Sequence, residues 1–266
     1  VTTKTDWFVL DLETTGLRPE AGDLICEVGM SAVDDKLKIQ GSINLIVTKD
    51  DQITKLRESD FALAMHVKSG LLAEMEEYST LPTEGNDWVF SHASADDALS
   101  DFLDFHSVEG AKVLLIGSSI HFDRGFIKQY LPKVESRLHY RMIDVSSIKE
   151  LARKWTPRIE STLPVPARSH RSMPDIMDTL SELNGYMNLF SFWNEYMDGL
   201  DERTLNLVHE VLDERKPESD PDDGRMSRWN CSVCGKPIIV SIFKGTGVCS
   251  IICRKKRDGD PPKVYY

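Results

Sequence analysis

The 266 residues are 41% hydrophobic, 8% aromatic and 28% charged. That is enough apolar material for one sizeable core plus a smaller module, and too much for a disordered chain. No apolar run approaches the ~18 residues that cross a bilayer. Residues 1–5 show no basic stretch leading into an apolar segment, and five cysteines are too few and too unevenly placed for a disulfide-stapled secreted protein. The expectation is a cytosolic (cytoplasmic) globular protein without membrane contact. Charge divides sharply along the chain: residues 225–266 hold nine Lys/Arg against two Asp/Glu, leaving 23 against 41 in residues 1–224. So acidic a body repels long polyanions while the basic tail attracts them. Nucleic acid handled by the body alone should be short, or held through metal ions.

Residues 7–13 (WFVLDLE) alternate around β-formers and read as a strand, and 24–33 and 43–47 read as two more. With the polar turn at Asp34–Asp35 between the last two, a meander is expected. Helical spacing follows over 94–105 through Ala98, Phe102 and Phe105. The fully apolar 113–117 (VLLIG) suits a short strand buried on both faces. A helix after Asp123 carries Phe126, Ile127 and Tyr130. Met142–Ile143 is a further short strand, and a helix over 146–155 takes Ser146 as its N-cap. Ser172–Met173–Pro174 opens another helix with proline in its first turn and Ile176, Leu180 and Leu183 as the buried stripe. A last amphipathic helix is predicted over 200–212. Residues 213–224 (DERKPESDPDDG) have the composition of a flexible acidic linker. It separates a body, 1–212, from a small cysteine-bearing module, 225–266. The class is α/β: a mixed sheet flanked by helices, plus the small C-terminal module.

Asp11 and Glu13 stand two apart on a strand, so their side chains point the same way. Two like charges 4 Å apart cost about 4 kcal/mol at an effective dielectric near 20. Protonation, a basic neighbour or a divalent cation relieves that cost. Taken alone, the pair reads first as a solvated strand end before the turn at Thr14–Thr15–Gly16. Asp123 and Asp175, each in a first helical turn, are alone no more than dipole-favoured acids. His170 alone is a surface residue in a proline-flanked loop. All five together, in this order, are not a common accident.

The segments FVLDLETTGL (8–17), GSSIHFDRGFIKQYLP (117–132), HYRMIDVSSIKELARKW (139–155) and HRSMPDIMDTLSEL (170–183) resemble the oligoribonucleases. These are members of the DEDDh-type 3′→5′ exonuclease superfamily, with a ribonuclease H-like fold. The resemblance covers about residues 6–185 and stops short of the tail. It implies Asp11, Glu13, Asp123 and Asp175 as ligands of two Mg²⁺ or Mn²⁺ ions and His170 as the general base, with nucleoside 5′-monophosphates as products. Four carboxylates are neutralised by two divalent ions, and hard ions prefer oxygen donors. An imidazole with an unperturbed pKa of about 6.5 takes a proton near neutral pH.

The same resemblance implies that Ser119, Arg141 and Ser146 grip the 5′ phosphate of a dinucleotide, where a guanidinium fork suits a terminal phosphate. It places Leu17 as a wedge between the bases, Phe61 as a stacking surface in place of the family's tryptophan, and His66 near the nucleotide. Tyr140 would cross the interface of a homodimer. Arg141 is otherwise a surface ion-pair residue, Ser146 a helix cap, and His66 a core or surface histidine. Thr14 replaces the family's methionine, a form shared with proofreading exonucleases.

Cys231 and Cys234 form CxxCG, and Cys249 and Cys253 form CxxxC, a spacing that suits one structural tetrahedral Zn²⁺. Cys26 lies in a strand and reads as core. Arg254 to Arg257, with Trp229, Tyr265 and Tyr266, suit nucleic-acid binding; an appendage complementary in charge to the acidic body is the equal alternative. Three functions stand open: an oligoribonuclease acting on very short RNA, a broader 3′→5′ exonuclease on single-stranded DNA or RNA with the finger holding the strand, and a non-catalytic adaptor. The filled set of five chemical positions argues against the third.

Overall fold

The computed structural model describes residues 4–81, 90–163, 165–202 and 204–206, with two short strands at 229–230 and 237–238. The chain divides into two units, Val1–Glu195 and Tyr196–Tyr266. In the first, β1 (Trp7–Thr14), β2 (Ile25–Val33) and β3 (Ile39–Ile46) form the antiparallel meander expected from the sequence. Then β4 (Val113–Gly117) pairs parallel with β1, and β5 (Leu138–Asp144) parallel with β4, giving the order β3-β2-β1-β4-β5. Three short helices follow β3: α1 (Gln52–Leu56), α2 (Asp60–Ser69) and α3 (Leu71–Ser79). The other helices are α4 (His92–His106), α5 (His121–Tyr130), α6 (Pro132–Arg137), α7 (Val145–Trp155), α8 (Pro157–Glu160) and α9 (Ser172–Asp198). The α/β expectation holds. In the second unit, β6 (Trp229–Asn230) and β7 (Pro237–Ile238) pair antiparallel.

Strand alternation decides where the acids go. Phe8 and Leu10 point into a core with Val28, Met30, Leu99, Leu103, Phe126 and Ile127. Val9 points to the opposite face, against Ile116, Val145, Ile176, Leu180 and Leu183. Burying each such side chain is worth about 1.5–3 kcal/mol, so both faces hold the sheet firmly. Asp11 and Glu13 continue the row of Val9, on the face covered by α9. At Gly29 of β2 that helix comes so close that a Cβ would lie 2.8 Å from Ser172 Oγ and 2.9 Å from Ile176 Cδ1. Glycine there lets the first turn of α9, with Asp175, sit directly over the sheet.

Several expectations need correction. Phe105 is not part of the buried stripe of α4: it is 62% exposed, with the Lys4 ammonium over its ring, and Ala95, Leu99 and Leu103 are buried instead. That helix starts earlier than predicted because Ser91 and Ser94 form a capping box. The cap of α7 is Asp144 rather than Ser146; its carboxylate accepts the Ser146 backbone N–H at 3.0 Å. Helices α1–α3 were not anticipated, and α9 runs well past the stripe read from the sequence. The helix expected over 200–212 falls largely outside the described residues, as do the linker at 213–224 and Cys231, Cys234, Cys249 and Cys253. Cys26 is buried in a small cluster with Ile46, Leu71 and Met75. Among the described residues no helix is long and apolar enough to cross a membrane.

Candidate active site

The end of β1 supplies Asp11 and Glu13, and two helix starts bring the other acids to it. Asp123, in the first turn of α5, accepts the Leu12 backbone N–H at 3.0 Å through Oδ1, which ties α5 to β1. Asp175, in the first turn of α9, accepts the backbone N–H and the hydroxyl of Ser169, both at 2.9 Å. Ligand-capable atoms of Glu13, His170 and Asp175 all lie within 4.8 Å of one another. Residues separated by more than 150 positions thus converge on one spot.

The electrostatics of this cluster are severe. Burial, then Asp123, Glu13, Asp175 and Glu27, hold Asp11 well above the usual carboxylate range. Burial, then Asp175, Glu27 and Asp123, push Glu13 up to about 8, while Arg171 pulls weakly the other way. Asp123 is pushed up to about 7, chiefly by burial, against the backbone N–H groups it accepts from. Oxygen donors this reluctant to ionise together fit a divalent cation, which removes the repulsion that protonation otherwise relieves.

His170 has a left-handed backbone (φ 55°), as do Arg168 (φ 50°) and Ser119 (φ 53°). Such conformations cost about 1–3 kcal/mol each in non-glycine residues and persist where neighbours impose them. His66, on α2, is fully buried. Its Nε2 lies 2.9 Å from the Thr14 carbonyl and its Nδ1 3.8 Å from Glu13 Oε2. Burial lowers its pKa, so the neutral ring donates through Nε2 to that carbonyl.

Beside the acids lies a cavity of about 270 Å³ whose wall includes Asp11, Asp175, Ser119, Ser146, Lys149 and Arg168. Ser119 Oγ donates to Ser146 Oγ at 3.2 Å, and the Ser119 N–H donates to Asp144, the cap of α7. Leu17 (71% exposed), Phe61 (81% exposed), Tyr140 and Arg141 stand outside that wall, exposed; the Arg141 guanidinium lies 5.2 Å from the Tyr140 ring centroid.

Sequence reasoning missed two ion pairs. Lys149 Nζ lies 2.7 Å from Glu182 Oε1 in the cavity wall, both side chains largely buried. Arg171 forks onto Glu27. Only Glu27 left a visible trace, as a carboxylate inside the apolar strand ICEVGM.

Among solved structures, the nuclease domain of 3′hExo, described as a DEDDh family member bound to rAMP, superposes with a TM-score of 0.45 at 13% identity, over 68% of this chain and 91% of that one. The exonuclease family model matches residues 8–183. The oligoribonuclease of Cutibacterium acnes is 35% identical over 188 residues, 71% of this chain and 84% of the relative. That of Corynebacterium efficiens is 37% identical over 182 residues, covering 68% and 77%. That of Neisseria meningitidis is 34% identical over 183 residues, covering 68% and 90%. With the match spanning β1 to α9 and therefore every acid described above, the chain belongs to the oligoribonucleases of the exonuclease family.

Proposed function

We propose that the protein is a 3′→5′ exoribonuclease of the oligoribonuclease type, with 5′-phosphorylated dinucleotides and other very short RNAs as its substrates. The observation that carries this reading is the convergence of Asp11, Glu13, Asp123 and Asp175 with His170 at the end of β1. The four carboxylates would hold two Mg²⁺ or Mn²⁺ ions. When bound, such ions polarise the phosphodiester and acidify water.

His170 takes the proton of the attacking water, its ring beside Glu13 and Asp175 and open to solvent. The water oxygen bonds to phosphorus as the P–O3′ bond breaks, and the departing 3′ oxygen takes a proton from solvent, leaving a nucleoside 5′-monophosphate and a free 3′-hydroxyl. Ser119 and Ser146 present hydroxyls at the cavity wall for the 5′ phosphate, and Arg141 adds its guanidinium from the neighbouring strand. Exposed Leu17 and Phe61 offer apolar surface to the bases, while His66, fully buried beside Glu13, backs the acidic cluster from behind rather than facing the open site.

A homodimer, with Tyr140 of one copy reaching its partner's site, is part of this reading. So is a structural Zn²⁺ on Cys231, Cys234, Cys249 and Cys253, supported by the CxxCG and CxxxC spacing. A single cysteine in residues 1–212 fits a cytoplasmic protein.

A second reading, a broader exonuclease on single-stranded DNA or RNA, is favoured by the basic tail and by Thr14. Hydrolysis rates on 5′-phosphorylated RNA and DNA of two to twenty nucleotides separate the two. The oligoribonuclease reading expects the fastest turnover on RNA dinucleotides, unchanged when 225–266 is removed, and a larger loss in Arg141→Ala on dinucleotides than on long strands. A marked loss on long strands without the tail decides for the broader enzyme, and equal losses in Arg141→Ala remove the 5′-phosphate cap.

A further inference from the structure

Glu27 is a fifth carboxylate at this site, directly opposite Glu13 in the β1–β2 register, and its side chain is 1% exposed. In a cluster already short of counter-charge it adds repulsion to both Asp11 and Glu13. Its hydrogen bonds show what it does in return. Arg171 Nε donates to Oε2 at 3.1 Å and Nη2 to Oε1 at 3.0 Å; the Ser172 backbone N–H donates to Oε2 at 3.1 Å; Asn44 Nδ2 donates to Oε1 at 3.0 Å. Ser172 Oγ closes the set by donating to Asn44 Oδ1 at 2.8 Å. Arg171 Nη2 reaches outward as well, to Glu74 Oε2 on α3 at 2.7 Å.

Buried ion pairs contribute little net stability compared with apolar packing, because desolvation offsets the attraction. What a fully bonded pair does supply is one defined geometry. Here that geometry falls on the residue before Arg171. His170 sits in a left-handed conformation between two carboxylate anchors: Ser169 bound to Asp175 on one side, Arg171 and Ser172 bound to Glu27 on the other. Without both anchors nothing in these contacts holds a non-glycine residue in that backbone region.

We propose that Glu27 and Arg171 are positioning residues that fix His170 for proton transfer, acting on turnover through that histidine rather than on substrate binding. The proposal rests on His170 being the general base. Arg171 touches no reacting group; its side chain is committed to Glu27 and Glu74.

The test is steady-state kinetics of the full-length chain on a 5′-phosphorylated RNA dinucleotide with Mn²⁺, with folding checked by thermal melting. Misplacing a catalytic group by an ångström costs up to about 100-fold. Arg171→Met is therefore expected to lower kcat by about 10–100-fold with KM changed by less than about 3-fold. Glu27→Gln should follow it in the same direction, while Glu74→Gln, which removes only the outer partner, stays within about 2-fold of wild type. Arg171→Lys keeps the charge but loses the fork, and should recover part of the rate. The decisive comparison is the cycle with His170→Ala: if Arg171 acts through His170, the double variant is no slower than His170→Ala alone. A folded Arg171→Met protein with wild-type kcat, or losses that multiply in the double variant, overturns the proposal alone. A His170→Ala protein with wild-type kcat overturns the general-base reading and this proposal with it. Should Arg171→Met fail to fold, the same cycle with Arg171→Lys carries the test.

Discussion

Glu13 and Asp123 hold protons in the folded, metal-free protein that the unfolded chain releases far lower on the pH scale. Their carboxyls stand at about 8 and about 7, against ordinary values of 4.5 and 3.8. A folded-state pKa raised above the unfolded one makes its contribution in full below the unfolded value and loses it as pH climbs through the folded value. The chelator-treated protein should therefore melt at progressively lower temperature from about pH 5 to about pH 8. Added Mn²⁺ should restore more at the alkaline end, where the unrelieved negative charge is greatest. A Tm that stays level or rises across that window would contradict the assignment. At this scale the sequence was legible where chemistry leaves a pattern: Asp11, Glu13, Asp123, His170 and Asp175 sit in motif segments. The partners that organise them were not. Arg171 meets Glu27 from 144 positions away, and Lys149 meets Glu182 across a helix pair, so no local spacing marks either pair.

Elements were legible in proportion to how well apolarity tracks burial. The strands β1, β2 and β4 read clearly because both sheet faces are covered. On α2 the rule inverts: Phe61 and Val67 face outward while Ala62 and His66 are buried, so no apolar stripe announces the helix. Phe105 misled for the same reason. The cap of α7 was misread by two residues because Ser146 and Asp144 are both good capping types, and only the structure shows that the carboxylate accepts the N–H groups of Ser146 and of Ser119 as well. The contact that most directly couples fold to chemistry is Gly29 beneath the start of α9. Gly29→Ala should destabilise by about 1–3 kcal/mol, as overpacking does, and should also lower kcat because the helix start carrying Asp175 must shift. Denaturant unfolding and dinucleotide kinetics check this together; wild-type stability with wild-type turnover would show that the approach is not close.

Across the whole molecule, the net charge of residues 1–224 has the same sign as the phosphates of a nucleic-acid substrate. That combination works if the local charge is reversed by cations at the one place where phosphate must approach, and it disfavours long strands everywhere else. The family was legible from four segments spread along the body, whereas the basic tail lies outside both the match and most of the described residues. The central claim is that these carboxylates are gathered to hold divalent ions. Calorimetric titration of the full-length protein with Mn²⁺ at pH 7, in two buffers of different ionisation enthalpy, tests it most directly. Binding should expel roughly one to two protons per site, since at pH 7 Glu13 enters largely and Asp123 about half protonated, and both must leave ionised. Absence of binding, or binding whose heat is the same in both buffers, would contradict the account.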